Sequence, residues 1–459
     1  MQHGGSFATS SGDGVARPGT AAAAMHHQQT GVLIGATMLS MILAFVQKIP
    51  CRSGAWDDAV QQYQYFCYTD IYPLYEWEGF SRGQTAYIDH EIEYPVLTGG
   101  AMQVVAWLVS QIDESMRART FYDVTVMLLT ICAVLGVLAT ARAAGLDGRR
   151  QALMVAFSPA LILCAFINWD LVVFALTALW LASWSSRRTV WSGIFLGLAV
   201  ATKFYPIVLI FPLLLLCLRA GKMRELAKTL LAAGAAWLAV NVPVMIAAPT
   251  GWQTFYRFSS ERNADWGSIW YLFQYYQLPV VGNQQLEGLN ARAAGSFVVG
   301  CIAIAVLALA ARRRPRLPQL CFLMLVAFLI GNKVWSPQFV IWLVPFAVLA
   351  RPRLWPYVLW QACEIVYFVA IWSHLVYYIG RDGYPITGFP GINENWYFPA
   401  VVIRSIGLLV LVAYVVKDVL RPDQDIVRVR GQDDPAGGIL DQAPEGLRIA
   451  SNTRAARKE

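Results

Sequence analysis

A series of about twelve apolar segments between residues 31 and 418 constrains the fold more than any other feature of the sequence. A helix needs roughly 20 apolar residues to cross the hydrocarbon core of a bilayer, and helices buried inside a bundle can be shorter. Because 57% of the residues are hydrophobic and only 14% are charged, the chain carries more apolar surface than a water-soluble domain could bury. The sequence therefore predicts an all-α polytopic membrane protein. The predicted spans are 31–48, 121–142, 152–167, 169–186, 190–203, 204–219, 229–248, 293–311, 317–331, 337–350, 354–375 and 399–418.

Positive charges predict the orientation of these spans, since Lys and Arg are retained in short cytoplasmic loops. With a cytoplasmic N-terminus, every second loop is basic. The basic loops contain Arg142, Arg149 and Arg150; Arg187 and Arg188; Arg219, Lys222, Arg224 and Lys228; Arg312, Arg313, Arg314 and Arg316; and Arg351 and Arg353. This order holds only if the apolar stretch 95–112 does not cross the membrane, so we predict that it forms a helix at the outer surface. The net charge of +7 then belongs to the inner rim and favours anionic lipid over nucleic acid.

The same reading divides the chain into three parts. Residues 31–420 form one membrane domain, whose long first outer loop, 49–120, is predicted to contain surface helices. Residues 1–30 and 421–459 are rich in small and polar residues and are predicted to be disordered cytoplasmic tails. The protein is thus expected in the plasma membrane, with both termini cytoplasmic and the active site outside the cytoplasm.

The eight cysteines show no pair at metal-ligand spacing. Six fall within predicted spans, where a buried cysteine behaves as a small apolar residue. Cys51 and Cys67 both lie in the first outer loop, where an oxidising compartment permits a disulfide. The sequence alone is compatible with a disulfide between Cys51 and Cys67 and also with two free thiols.

Asp70 is the strongest candidate for a catalytic base. It precedes the apolar and aromatic run Ile71–Tyr75, which includes Tyr72, so its carboxylate is expected to be partly desolvated. Desolvation raises the pKa of a carboxyl group and makes the carboxylate a better base. The alternative is that Asp70 only caps a short surface helix.

A second polar cluster follows in the same loop. Its residues are Asp89, His90, Glu91, Glu93 and Tyr94. Adjacent residues of an extended segment point to opposite faces, so a metal site is less favoured than a wall of the active site or a partner for Asp70.

Three further elements lie at the predicted outer ends of spans. Asn168 and Asp170 separate two apolar runs, Lys203 and Tyr205 interrupt a third, and Lys333 and Gln338 lie between two later spans. A lysine at membrane depth is costly unless it snorkels, and it often marks a functional site. Two such lysines could hold a phosphate whose lipid tail stays in the bilayer.

The loop 249–292 is rich in aromatic residues, among them Trp270, and also contains Arg262. Such a cluster is either an interfacial aromatic belt or a platform on which sugar rings stack. The aromatic loop around 377–397 allows the same two interpretations.

Taken in order, these residues resemble the C-type membrane glycosyltransferases that use polyprenyl-phosphate donors. The similarity is greatest to the family 87 mannosyltransferases, in the branch that contains the phosphatidylinositol-mannoside mannosyltransferase. The resemblance covers roughly residues 31–420. The residues that carry it are Asp70, Ile71 and Tyr72; Gly83, Ala86, Tyr87, Tyr94 and Pro95; Ser158, Pro159, Asn168 and Asp170; Gly193, Gly197, Leu198, Ala199, Lys203, Tyr205 and Pro206; and Ser336, Pro337 and Gln338.

The resemblance implies a GT-C fold and an inverting transfer of a sugar, with mannose preferred, to a glycolipid or cell-wall glycan. Asp70 would be the base, no cofactor or metal would be required, and Lys203, Lys333 and Arg262 would hold the donor phosphate. The substrate-binding residues would be Tyr72, Asp89, His90, Glu93, Tyr94, Asn168, Asp170, Tyr205, Trp270 and Gln338. Three alternatives remain open: an arabinofuranosyltransferase, a flippase or other transporter of lipid-linked sugar, and a non-catalytic membrane scaffold.

Overall fold

The computed structural model describes residues 18–278 and 286–447. Its regular elements are helices, in agreement with the predicted all-α class. The first eleven α-helices are α1 (Pro18–Arg52), α2 (Gln61–Gln64), α3 (Ile71–Trp77), α4 (Val96–Val109), α5 (Glu114–Ala143), α6 (Gly148–Ala156), α7 (Pro159–Cys164), α8 (Asp170–Ser185), α9 (Thr189–Thr202), α10 (Ile210–Ala220) and α11 (Met223–Ala247). The remaining α-helices are α12 (Pro249–Glu261), α13 (Ile269–Tyr275), α14 (Leu286–Ala310), α15 (Leu317–Gly331), α16 (Val340–Ala350), α17 (Leu354–Arg381), α18 (Glu394–Leu420) and α19 (Ile426–Val429).

Within the described residues, six helices are long and apolar enough to cross a membrane. These are α1 from Gln29, α5, α11, α14 from Gly288, α17 and α18. Five of the other six predicted spans coincide with shorter apolar helices, most of which are buried against their neighbours, and the sixth, 152–167, contains α6 and α7. The stretch 95–112 contains α4, whose 14 residues are too few to cross a bilayer alone.

One predicted span, 152–167, is interrupted, and another, 190–203, ends close to its predicted boundary, both at residues with a clear physical role. The segment 152–167 is divided into α6 and α7 at Ser158 and Pro159, where proline cannot donate a backbone hydrogen bond and the Ser158 side chain accepts one from the Leu161 N–H. The helix α9 ends at Thr202, and Lys203 is extended. Both breaks lie where polar side chains gather.

The two predicted tails differ from the structure. The helix α1 begins at Pro18, so it includes part of the tail that we expected to be disordered, and residues 1–17 lie outside the described range. The prediction of disorder is wrong for residues 421–447, which form α19 and two short 3-10 helices. Residues 448–459 lie outside the described range.

The C-terminal segment 421–447 is ordered because it meets the charges of the basic loops. Arg316 donates to the buried Asp425 at 2.7 Å, and Arg219 to Glu445 at 2.6 Å. Nearby, Arg351 pairs with Asp418 at the end of α18. The loops predicted to be cytoplasmic therefore meet at one end of the molecule, which we call the basic end.

Candidate functional site

Asp70 lies immediately before α3 and is anchored to the loop between α7 and α8. Its backbone N–H donates to the Ile167 carbonyl at 2.7 Å, and the Thr69 hydroxyl donates to the Phe166 carbonyl at 2.7 Å. The Asp70 side chain makes no capping hydrogen bond to α3. Its Oδ1 instead accepts a hydrogen bond from the Tyr68 hydroxyl at 2.5 Å. The geometry therefore differs from that of a simple helix cap.

The surroundings of Asp70 make it suitable as a base near neutral pH. Burial raises the pKa of its carboxyl group to about 6, and the Asp170 charge acts in the same direction. The Tyr68 hydrogen bond and the charges of Lys203 and Arg262 partly oppose that rise. At pH 7 the carboxylate is thus mostly ionised but poorly solvated.

Lys203 forms an ion pair with Asp170 at one side of Asp70. The Lys203 ammonium lies 2.6 Å from the Asp170 Oδ1, and the Asp170 side chain is only 1% exposed. The ammonium also lies 5.0 and 5.3 Å from the ring centres of Phe339 and Trp342, within cation–π range. Lys203 therefore meets a buried carboxylate rather than snorkelling to water.

The second carboxylate oxygen of Asp170 is also informative. It is buried and, among the described residues, has no hydrogen-bond donor. The Asp170 backbone N–H donates to the Asn168 side-chain oxygen at 3.0 Å, which places Asn168 directly beside the pair. An oxygen that is both buried and unpartnered carries a desolvation cost, which a hydrogen-bond donor would remove.

Lys333 and Arg262 form a second cationic group. The Lys333 ammonium donates to the Ser260 carbonyl at 2.9 Å, while the Asp265 backbone N–H donates to the Lys333 carbonyl at 2.8 Å. Arg262 lies 3.7 Å from Asp265 and is 41% exposed. Burial and the Arg262 charge both lower the pKa of Lys333. Two cations that disfavour each other in this way would be stabilised by an anion bound between them.

Tyr94 and Glu93 connect these groups electrostatically. Burial raises the pKa of Tyr94 well above its usual value, and the charges of Asp70, Asp170 and Glu93 add to the effect. Burial also raises the pKa of Glu93, and the positive charge of Arg262 partly opposes that rise. Asp70, Asp170, Lys203, Arg262, Glu93 and Tyr94 are therefore close enough to influence one another electrostatically, with Asn168 beside Asp170 and Lys333 near Arg262.

His90 and Asp89 stand at the edge of this site. His90 lies 3.5 Å from Glu78, a carboxyl group whose pKa is raised to about 7 by burial and by the Glu93 charge. Asp89 is exposed, and its carboxylate accepts a hydrogen bond from the Thr85 backbone N–H at 2.8 Å. Asp89 thus stabilises a turn, and the structure does not bring it to Asp70.

Three predicted substrate residues have structural partners instead, and a fourth, Gln338, is buried. The Tyr72 hydroxyl donates to Asp57 at 2.8 Å, and the indole N–H of the buried Trp270 donates to the Gly331 carbonyl at 3.0 Å. Tyr205 is buried and stacks on Trp342 with ring centres 4.0 Å apart. Gln338 is buried in the short 3-10 helix Pro337–Phe339.

Two residues that the sequence did not single out support the candidate base. Tyr68 packs between Tyr63 and Trp372, with ring centres 5.5 and 4.8 Å away, so its hydroxyl is held in place against Asp70. The buried Lys48 donates to the Tyr68 carbonyl at 2.7 Å. The separation of two residues between Tyr68 and Asp70 was visible in the sequence, whereas the contact from α1 was not.

Cys51 and Cys67 form a disulfide, so the first of the two alternatives that the sequence left open, a bridge and not two free thiols, is confirmed. It joins the end of α1 to the segment that leads into Asp70, with Cα atoms 5.8 Å apart. The cross-link therefore restrains the chain three residues before the candidate base.

The model of glycosyltransferase family 87 matches residues 94–337, just over half of the chain. A search of curated proteins finds no significant match. Among solved structures, the chain is similar to the crystal structure of ArnT from Cupriavidus metallidurans bound to undecaprenyl phosphate. That similarity has 15% sequence identity and a TM-score of 0.42, and it covers 85% of this chain and 78% of ArnT.

Proposed function

The chain belongs to glycosyltransferase family 87, and from this premise we propose that it transfers a sugar from a polyprenyl-phosphate donor to a glycolipid or cell-wall glycan. The observation that carries the proposal is Asp70, a poorly solvated carboxylate beside Lys203 and within reach of the Arg262 charge. Asp70 precedes the matched residues 94–337, so its role rests on this geometry and on its position in the first loop.

The reaction is proposed to be a single displacement. Asp70 removes the proton from an acceptor hydroxyl while that oxygen attacks the anomeric carbon of the donor. The bond between the anomeric carbon and the phosphate oxygen breaks, and the phosphate leaves with the electron pair. Attack opposite the leaving group inverts the anomeric centre, as in other reactions that use one base on the far face.

The donor phosphate is proposed to bind near Arg262 and Lys333. Arg262 is the most exposed of the three cations, and the hydrogen bond to Ser260 uses only one of the three donors of Lys333. Lys203 is already paired with Asp170, so it would keep that ion pair and attract the phosphate through its positive charge without contacting it directly. Because Tyr94 and Glu93 share this electrostatic environment, they are proposed to line the acceptor side.

The location follows from the distribution of charge. The basic loops and the C-terminal segment share one end of the molecule, and short basic loops are retained in the cytoplasm. We therefore propose that both termini are cytoplasmic and that Asp70 lies at the outer face of the plasma membrane. The Cys51–Cys67 disulfide, next to Asp70, suits an oxidising compartment.

Mannose is the proposed sugar because the resemblance is greatest to mannosyltransferases. The test is transfer by the purified protein in lipid, with radiolabelled polyprenyl-phosphate mannose and, separately, polyprenyl-phosphate arabinose offered to a membrane glycolipid extract. We expect label in a glycan from the mannose donor and a loss of at least about 100-fold for Asp70→Asn, the usual contribution of a general base. Transfer from arabinose alone would make the protein an arabinofuranosyltransferase. Transfer that Asp70→Asn leaves intact would remove Asp70 as the base.

A further inference from the structure

A cavity of about 740 Å³ lies at the basic end, between α6 and α17. Its volume is in the range of small-molecule sites in proteins, roughly 300–1,000 Å³. The lining is mostly apolar, and it includes Leu153, Phe157, Val358 and Ile365. Phe157, Val358 and Ile365 are exposed, so the cavity is open on the side that a membrane would cover. These features suit the acyl chain of a lipid.

The mouth of the cavity is positively charged. Arg149 and Arg150 line it from the first turn of α6, and both are exposed. Over residues 18–278 and 286–447, no carboxylate lies within ion-pair distance of either guanidinium. Asp147, the acidic residue of the lining, is instead paired with Arg430 of the C-terminal segment. The positive charge of the two arginines is therefore free for a ligand.

The helix α6 adds a second source of attraction for an anion. It begins at Gly148 without a side-chain cap, and the Gly148 N–H donates to the Gly145 carbonyl of the preceding 3-10 turn, so the attraction at this end comes from the helix dipole. A helix N-terminus carries a partial positive charge and binds phosphate groups. Gly148 lets α6 pack against α5, because an added Cβ would lie 2.3 Å from the Ala141 carbonyl oxygen.

An unsatisfied polar group lines the cavity below the mouth. The Gln361 side-chain oxygen accepts hydrogen bonds from the Ser158 hydroxyl at 2.8 Å and the Ala160 N–H at 3.1 Å. Its side-chain nitrogen is buried and, among the described residues, has no acceptor. An ester carbonyl of a bound lipid would supply one.

We propose that this cavity binds an anionic diacyl phospholipid of the cytoplasmic leaflet. The phosphate would lie between Arg149, Arg150 and the start of α6, an acyl chain would fill the apolar part, and an ester carbonyl would accept from Gln361. Basic pockets between membrane helices on the cytoplasmic side are suited to anionic headgroups. A polyprenyl phosphate has no ester carbonyl, so the Gln361 amide favours a phospholipid. This proposal is independent of the sugar-transfer reaction.

The test is native mass spectrometry of the purified full-length chain with phosphatidylglycerol or phosphatidylcholine. We expect preferential retention of phosphatidylglycerol and a loss of about 10- to 30-fold in its affinity for R149Q/R150Q, the effect of two charges near a lipid phosphate. The control is R224Q/K228Q, which removes two exposed charges from α11. Equal retention of the two lipids, or equal effects of the two variants, would overturn the proposal.

Further experiments test whether the lipid lies inside the cavity and which class of lipid binds there. Ala362→Trp, which fills the cavity from its exposed edge, should reduce phosphatidylglycerol binding without removing charge. Diether phosphatidylglycerol should bind more weakly than the diester, because it offers no carbonyl to Gln361. Unchanged binding by Ala362→Trp would overturn the cavity as the site. Displacement of phosphatidylglycerol by an equal amount of polyprenyl phosphate would assign the cavity to that lipid instead.

Discussion

At the residue scale, the free-energy cost of ionising the buried Asp70 carboxyl group accompanies its proposed use as a base. The folded-state pKa is raised to about 6, so ionisation is less favourable in the folded protein than in the unfolded chain. The stability that the protonated group contributes is therefore lost as the pH rises through about 6. Asp70→Asn should leave a Tm at pH 7.5 that is equal to or higher than that of the wild type, together with almost no transfer. The exposed Asp89→Asn is the control, with activity near normal; a large fall in the Tm of Asp70→Asn would contradict this account.

The same pKa predicts how activity depends on pH. A general base works only when it is deprotonated, so kcat/KM should rise about tenfold per pH unit up to about pH 6 and then level off. The measurement is initial transfer rate between pH 4.5 and 8. A profile that is flat across that range would show that no group with the pKa of Asp70 limits the reaction.

Tyr68 allows a sharper test, because its hydroxyl lowers the pKa of Asp70 by hydrogen bonding to the carboxylate. Tyr68→Phe should move the acidic limb of the profile to higher pH while keeping most of the rate above pH 8. A purely structural role for Tyr68 would lower the rate at every pH and leave the limb in place. Tyr63→Phe, which changes a neighbouring hydroxyl without a bond to Asp70, is the matched control.

At the scale of the elements, the sequence predicted where polar residues interrupt the apolar runs, but it did not predict which of these residues contact each other in the fold. Asn168, Asp170 and Lys203 stood out because polar residues broke apolar runs, and the structure places all three near Asp70. The pairing of Lys203 with Asp170 joins α8 to the end of α9, a contact that depends on helix packing. The aromatic rings at Tyr205 and Trp270 were visible too, but their burial could not be read from composition.

This pairing predicts that Lys203 has a structural role beside any role in binding. Lys203→Met would leave the buried Asp170 carboxylate without its partner, and breaking a buried pair in this way costs about 3–5 kcal/mol. We expect a lower Tm in detergent for Lys203→Met and partial recovery in the double variant with Asp170→Asn. Arg262→Gln, at an exposed cation of the same site, should keep the Tm and weaken donor binding. A wild-type Tm for Lys203→Met would mean that the ammonium is free to serve the donor alone.

At the scale of the whole molecule, composition predicted disorder for a segment that is folded over residues 421–447. The composition is polar, but its acidic side chains and carbonyl oxygens accept hydrogen bonds from the arginines of two separate loops, which contain Arg219 and Arg314. Arg314 donates to the Leu440 and Ala443 carbonyls, and Arg316 donates to Asp425 and to the Leu349 carbonyl. A sequence pattern shows charges of both signs without showing that they meet at one end of a helical bundle.

Closure of the basic end depends on a buried carboxylate, Asp425. Asp425 is buried and accepts from both Arg316 and Gln319, so Asp425→Ala would leave a buried guanidinium without its counter-charge. Loss of one partner of a buried pair costs about 3–5 kcal/mol, and we expect a clearly lower Tm for the purified protein. Asp423→Ala, an exposed acidic residue two positions earlier, should keep the wild-type Tm. Because Asp70 lies beyond the other end of the bundle, the folded fraction of Asp425→Ala should retain its pH profile. Equal Tm values for the two variants would show that the C-terminal segment does not stabilise the bundle.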